Sequence, residues 1–183
     1  MKKWILGGLL MCLAYGAQSQ SGWSVTPHVG MQVAVMQSNM VGFYVGATAQ
    51  YRFGPVWALQ MGAMYANGYE SYGNGSHRAE HMLHFPIQVK AYVRKGWYWA
   101  TGPQFHMPFA SSTRWNDHKT TYTDVEGGVS WMIGTGYDFP CGLTVNVDYA
   151  YGSPVAFMSY IGGDRPSWSL IQIGFGWRFG KGK

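Results

Sequence analysis

Charge is scarce in this chain, and so is cysteine. Asp, Glu, Lys and Arg together make up 11% of its 183 residues, less than half of the roughly 25% usual in soluble domains. A surface so poor in charge is a poor match to water, whereas a surface that faces lipid has no need of charge. There are 2 cysteines, and one of them, Cys12, lies in a leader expected to be removed. The mature chain then holds only Cys141, which excludes an internal disulfide even in an oxidising compartment. Long apolar runs are also lacking. Beyond the leader no stretch approaches the ~18 consecutive apolar residues of a spanning helix, so any membrane crossing must be made by strands that close into a barrel. The net charge of +5 owes part of its excess to Lys2, Lys3, Lys181 and Lys183. No basic run is interleaved with a groove-reading motif, and nucleic acid is not an expected partner.

What the chain has in quantity is aromatic residues, 17% of the total with 13 Tyr and 9 Trp, and 26 glycines. Aromatic girdles at two membrane interfaces use the first. At the N-terminus, Lys2 and Lys3 precede an apolar run from Trp4 to Leu13 and a small-residue stretch from Ala14 to Ser19, the pattern of a cleaved secretory signal. Cleavage after Ser19 leaves a Gln-Ser-Gly start, and cleavage after Gly16 is the other option. A lipoprotein box ending at Cys12 would place the bulky Met11 where a small residue belongs. The chain is thus expected to comprise a signal peptide, residues 1–19, and a single barrel domain, residues 20–183.

Alternation carries the fold prediction, because a strand sends successive side chains to opposite faces. In the last segment Ile171, Ile173, Phe175, Trp177 and Phe179 share one face, and Gln172, Gly174, Gly176 and Arg178 the other. Leu143, Val145, Val147, Tyr149 and Tyr151 repeat the apolar face, with Thr144, Asn146, Asp148 and Ala150 opposite. Between Leu83 and Arg94 the outward set is Leu83, Phe85, Ile87, Val89, Ala91 and Val93, and the inward set includes His84, Gln88, Lys90, Tyr92 and Arg94. Pro86 removes a ladder donor there and suggests a bulge. Weaker copies cover residues 23–36, 41–53, 56–69, 97–109 and 124–139, making eight strands in all.

Three short connections, Gly54-Pro55, Lys95-Gly96 and Pro140-Cys141-Gly142, alternate with the longer stretches 70–78, 111–123 and 152–167 and a shorter one at 37–39. Short turns on one rim, long loops on the other and an even strand number predict an all-β fold, an eight-stranded antiparallel up-and-down transmembrane β-barrel of the bacterial outer membrane. Its first partner is then the outer-membrane lipid. Trp23, Tyr51, Phe53, Trp57, Trp97, Trp99, Phe139, Trp177 and Phe179 fall near the short-turn rim as a periplasmic girdle.

The inward positions predict a lumen network of Arg52, Lys90, Arg94 and Arg178 with Glu126, Asp138 and Asp148, amid Gln32, Gln50, Gln60, Gln88, Gln104, Asn146 and Gln172. Charges in so narrow a barrel need partners, so a salt-bridged polar core is expected rather than an empty channel. Inward glycines such as Gly62, Gly134 and Gly174 relieve crowding. They are not phosphate loops, because no helix follows them. His77, His81 and His84 cluster in sequence, but positions 81 and 84 face opposite sides of a strand, so no metal is expected. No Gly-x-Ser-x-Gly occurs and His28 and His106 have no evident serine partner, so neither catalysis nor a cofactor is expected.

Several stretches, in order, resemble the PorT-like outer-membrane β-barrel proteins of Bacteroidetes-type bacteria. They are His84-Phe-Pro-Ile-Gln-Val-Lys90, Thr101-Gly-Pro-Gln-Phe105, Gly134-Thr-Gly-Tyr-Asp-Phe139, Val147-Asp-Tyr-Ala-Tyr-Gly152 and Gln172-Ile-Gly-Phe-Gly-Trp-Arg-Phe179. The resemblance is strongest from His84 onward. It implies an eight-stranded outer-membrane barrel; the best-known members assist a protein-secretion apparatus, and most have no assigned activity. The expected function is a structural or interaction barrel whose loops meet a protein partner in the envelope or secretion apparatus. Tyr72, Trp115, Tyr122, Tyr160 and Trp168 are the candidate contacts, since loops carry function on such scaffolds. The two alternatives are a narrow pore or transporter of small solutes and a soluble, lipocalin-like binder with its apolar face turned inward.

Overall fold

The computed structural model describes residues 22–35, 40–71, 76–115, 118–122, 127–153 and 168–180. Ten strands appear in chain order: β1 (Gly22–Val35), β2 (Val41–Arg52), β3 (Trp57–Ser71), β4 (His77–Arg94), β5 (Trp97–Trp115), β6 (His118–Tyr122), β7 (Gly128–Asp138), β8 (Leu143–Ser153), β9 (Trp168–Trp177) and β10 (Phe179–Gly180). Eight long strands, all but β6 and β10, pair antiparallel in order, and β9 returns to pair with β1. Closure leaves no sheet edge, so every backbone donor of the spanning region can be satisfied within the ring.

β10 continues β9 along β1 in the same register, Val25 opposite Phe179 as Val29 is opposite Phe175. The interruption lies beside Pro27, which pairs with Ala47 of β2 but with nothing on the β9 side. A proline has no N–H to give to that seam.

The stagger of the barrel can be followed residue by residue. Starting at Trp23, successive partners are Tyr51, Leu59, Val89, Thr101, Ile133, Tyr149 and Ile171, and Ile171 pairs with Val33. One circuit thus advances ten residues along β1. With a rise of about 3.3 Å per residue and about 4.8 Å between strands, that stagger tilts the strands by about 40° and sets a radius of about 8 Å. Ten residues at that tilt climb roughly 25 Å, the height of the apolar band of an outer-membrane barrel.

The outer face fulfils the alternation. On β1, Trp23, Val25, Val29, Met31 and Val33 are exposed while Ser24, Thr26, His28 and Gln32 are buried. Trp23, Trp57, Trp97, Trp99, Phe139, Trp177 and Phe179 are exposed near the short turns, and Phe43, Phe105, Trp131 and Tyr151 toward the opposite end. Such a surface, apolar outside and polar inside, is the inverse of a soluble protein and rules against the lipocalin-like arrangement.

Two local expectations need correction. Pro86 causes no bulge: Met61 pairs with Ile87 and Met64 with His84 in one register, and the rungs between are simply unpaired. The register shifts lie elsewhere, at His81/Met82 and Tyr92/Arg94. The stretch 111–123, expected as a loop, is mostly a ladder, since β5 runs on to Trp115 and β6 pairs back onto it from Ser111–Tyr122 to Trp115–His118.

Candidate functional site, a filled polar lumen

Inward side chains close the barrel in layers. At the short-turn end Arg52, Ala58, Lys90 and Ala100 succeed one another around a rung. The two alanines make space for the two long cations. The Arg52 guanidinium lies 3.8 Å above the Tyr92 ring and the Lys90 ammonium 4.0 Å above that of Tyr98. The tyrosine rings are 5.5 Å apart. Cations over aromatic faces in a desolvated interior recover part of what they lose in hydration.

Asp138 gathers this layer. Arg178 donates to its carboxylate at 2.5 Å, with side chains only 10% and 3% exposed, and the Tyr92 hydroxyl donates at 2.8 Å. Gln50 in turn donates to the Tyr92 oxygen at 3.0 Å. Strands β2, β4, β7 and the break between β9 and β10 are thereby tied across the lumen.

A middle layer is built on Asp148, which accepts from Gln88 at 3.4 Å and from the Asn146 amide; Gln60 donates to Gln88 at 3.2 Å. His28 and Thr48 share a hydrogen bond of 3.0 Å. Toward the long-loop end, the His84 and His106 rings meet edge to face at 4.5 Å. Contrary to expectation, His106 does have a serine partner, Ser130, at 2.8 Å, and Gln172 reaches Gln32 at 3.2 Å. Met132, Ala150 and Leu170 pack below this group.

Glycines fit the lumen to its largest side chains. The hydroxyl end of Tyr44 lies where a Cβ on either Gly30 or Gly174 would sit, 2.5 and 2.3 Å away. Tyr98 covers Gly136 in the same way. The cavity lined by His28, Tyr44, Gln60, Gln88, Lys90 and Asp148, among others, holds about 20 Å³, room for roughly one water molecule.

Of the predicted lumen residues, Arg52, Lys90, Asp138, Asp148 and Arg178 do face inward. Arg178 and Asp138 form an ion pair, while Lys90 and Arg52 rest on tyrosine rings instead. Arg94 is exposed on the outside: the register shift between Tyr92 and Arg94 reverses the alternation there. Glu126, Tyr72, Tyr160 and residues 1–19, expected as a signal peptide, lie outside the described residues, and Trp115, Tyr122 and Trp168 are placed as strand positions only. Sequence reasoning did not single out Tyr44 and Tyr98. The glycines that receive them were visible, but not which ring each one faces.

A closed barrel with an apolar belt, two aromatic girdles and a filled polar interior defines the class, an integral outer-membrane β-barrel protein. The family of outer membrane protein beta-barrel domains matches residues 5–179, and the chain belongs to it. Among solved structures, neisserial surface protein A is similar at 11% identity with a TM-score of 0.58, over 86% of this chain and 97% of that one. Ail, the attachment invasion locus protein of Yersinia pestis, is similar at 10% identity with a TM-score of 0.54, over 88% and 100%. At these identities the likeness is one of fold. No curated protein sequence matches the chain.

Proposed function

We propose that this barrel is a non-catalytic, rigid scaffold that presents its long-loop end to a protein partner in the cell envelope. The observation that carries this reading is the lumen, whose central cavity among the described side chains has room for about one water. A wall so filled is suited to holding a rim in place rather than to passing solutes. The β5–β6 ladder supports the reading too, because it extends ordered backbone past the ring at that rim, where Trp115 and Tyr122 lie and to which Tyr72, Tyr160 and Trp168 are neighbours in sequence. The PorT-like resemblance gives the proposal its specific form, a partner belonging to a secretion apparatus.

The test replaces residues 111–123 and 152–167 by short turns and compares the proteins crosslinked to each barrel in the native envelope. Folding is checked by the change in gel mobility between unheated and heated samples. The wild type should capture a partner that the variant loses; an identical set of crosslinks from both would overturn the proposal.

A further inference from the structure

Among the described residues, Asp138 and Asp148 are buried in the lumen, and Glu70 and Glu80 lie on β3 and β4 toward the long-loop end. Arg94 and Lys95, by contrast, stand at the β4–β5 turn on the short-turn rim, and both are exposed. Arg94 owes its outward position to the register shift after Tyr92, and Gly96 completes the turn at φ +83. Among the described residues no carboxylate pairs with either cation.

Next to them the outer wall forms an open hollow of about 640 Å³ lined by Val93, Arg94, Lys95, Trp97, Trp99 and Tyr137. Trp97 and Trp99 are 48% and 52% exposed on that wall, at the level where indole rings meet lipid headgroups. Two unpaired cations above two exposed indoles are complementary to a phosphate joined to an apolar stem. A guanidinium can take phosphate oxygens through two parallel donors.

We infer that this hollow binds the headgroup of an anionic phospholipid of the adjoining leaflet, its phosphate against Arg94 and Lys95 and its glycerol and upper acyl chains against Trp97 and Trp99. The inference goes beyond the loop reading and does not depend on it. Each cation near an anionic lipid surface is worth about fivefold in affinity, and the two together about 30-fold.

The experiment titrates the full-length barrel in detergent micelles with phosphatidylglycerol or phosphatidylcholine and counts single-lipid adducts by native mass spectrometry. Phosphatidylglycerol should bind at lower concentration than phosphatidylcholine. Arg94→Gln/Lys95→Gln should raise its half-saturating concentration about 30-fold and Lys95→Gln alone about fivefold, whereas Arg114→Gln/Lys119→Gln at the opposite rim should leave it unchanged. Heat-dependent gel mobility confirms that each variant is folded; if the double variant is not, Lys95→Gln alone decides. Equal retention of the two lipids, or unchanged binding by the rim variants, would overturn the inference. So would displacement of the lipid by inorganic phosphate beyond that caused by chloride at equal ionic strength, which would assign the hollow to a soluble phosphate compound.

Discussion

Asp138→Asn separates the two things the lumen carboxylate does. It pairs with Arg178 at 2.5 Å and accepts the Tyr92 hydroxyl at 2.8 Å, and among the described residues no carboxylate lies within salt-bridge distance of Lys90. Removing one partner of a buried pair costs about 3–5 kcal/mol, because the remaining charge stays buried. Asparagine keeps a neutral acceptor for the Tyr92 hydroxyl, a bond worth about 1 kcal/mol. The loss should therefore fall at the lower end, about 3 kcal/mol. It would be read from urea unfolding of the barrel in phospholipid vesicles, followed by tryptophan fluorescence and gel mobility. Adding Arg178→Gln to Asp138→Asn should cost less than Arg178→Gln does in the wild type, a coupling of at least about 1 kcal/mol. A single variant within about 0.5 kcal/mol of wild type, or two substitutions that simply add, would refute the pairing as the clamp of this layer.

Three further outcomes follow from the same geometry. Planar-bilayer recordings of the purified barrel should show no steady single-channel conductance, because a central cavity of about 20 Å³ is no pathway for a hydrated ion; regular conductance steps would contradict the filled lumen. Val147→Arg, on the outward face near the middle of β8, should lower unfolding stability by about 2–4 kcal/mol, and stability unchanged in vesicles would mean that this face does not meet lipid. Gly174→Ala drives a methyl into the Tyr44 hydroxyl and the Asn146 amide and should cost about 1–3 kcal/mol. That cost should shrink when Tyr44→Ala is already present; an unaltered cost would place the collision elsewhere.

The fold was readable because alternation is a local property that survives in a short stretch of chain. Ile171, Ile173, Phe175 and Trp177 declare their shared face without any knowledge of neighbours, and Gly54-Pro55 and Lys95-Gly96 mark turns by their own conformational preferences. The same rule failed at Arg94, where a single extra residue in β4 reverses the faces, and in 111–123, where a polar composition concealed a ladder. Neither exception has a composition of its own.

Strand number, the sides of the strands, the girdles and the membrane destination were thus determined by the order of residues along the chain, since each depends on period two and on turn chemistry. The pairing of side chains inside was decided only by the tertiary structure. Asp138 lies 46 residues from Tyr92 and 40 from Arg178, and what brings them together is the ten-residue stagger of the closed ring. That stagger is a sum of eight strand registers and belongs to no single segment. Which cation finds a carboxylate and which settles on a tyrosine ring, and where a bulge delivers Arg94 to the lipid side, are consequences of closure.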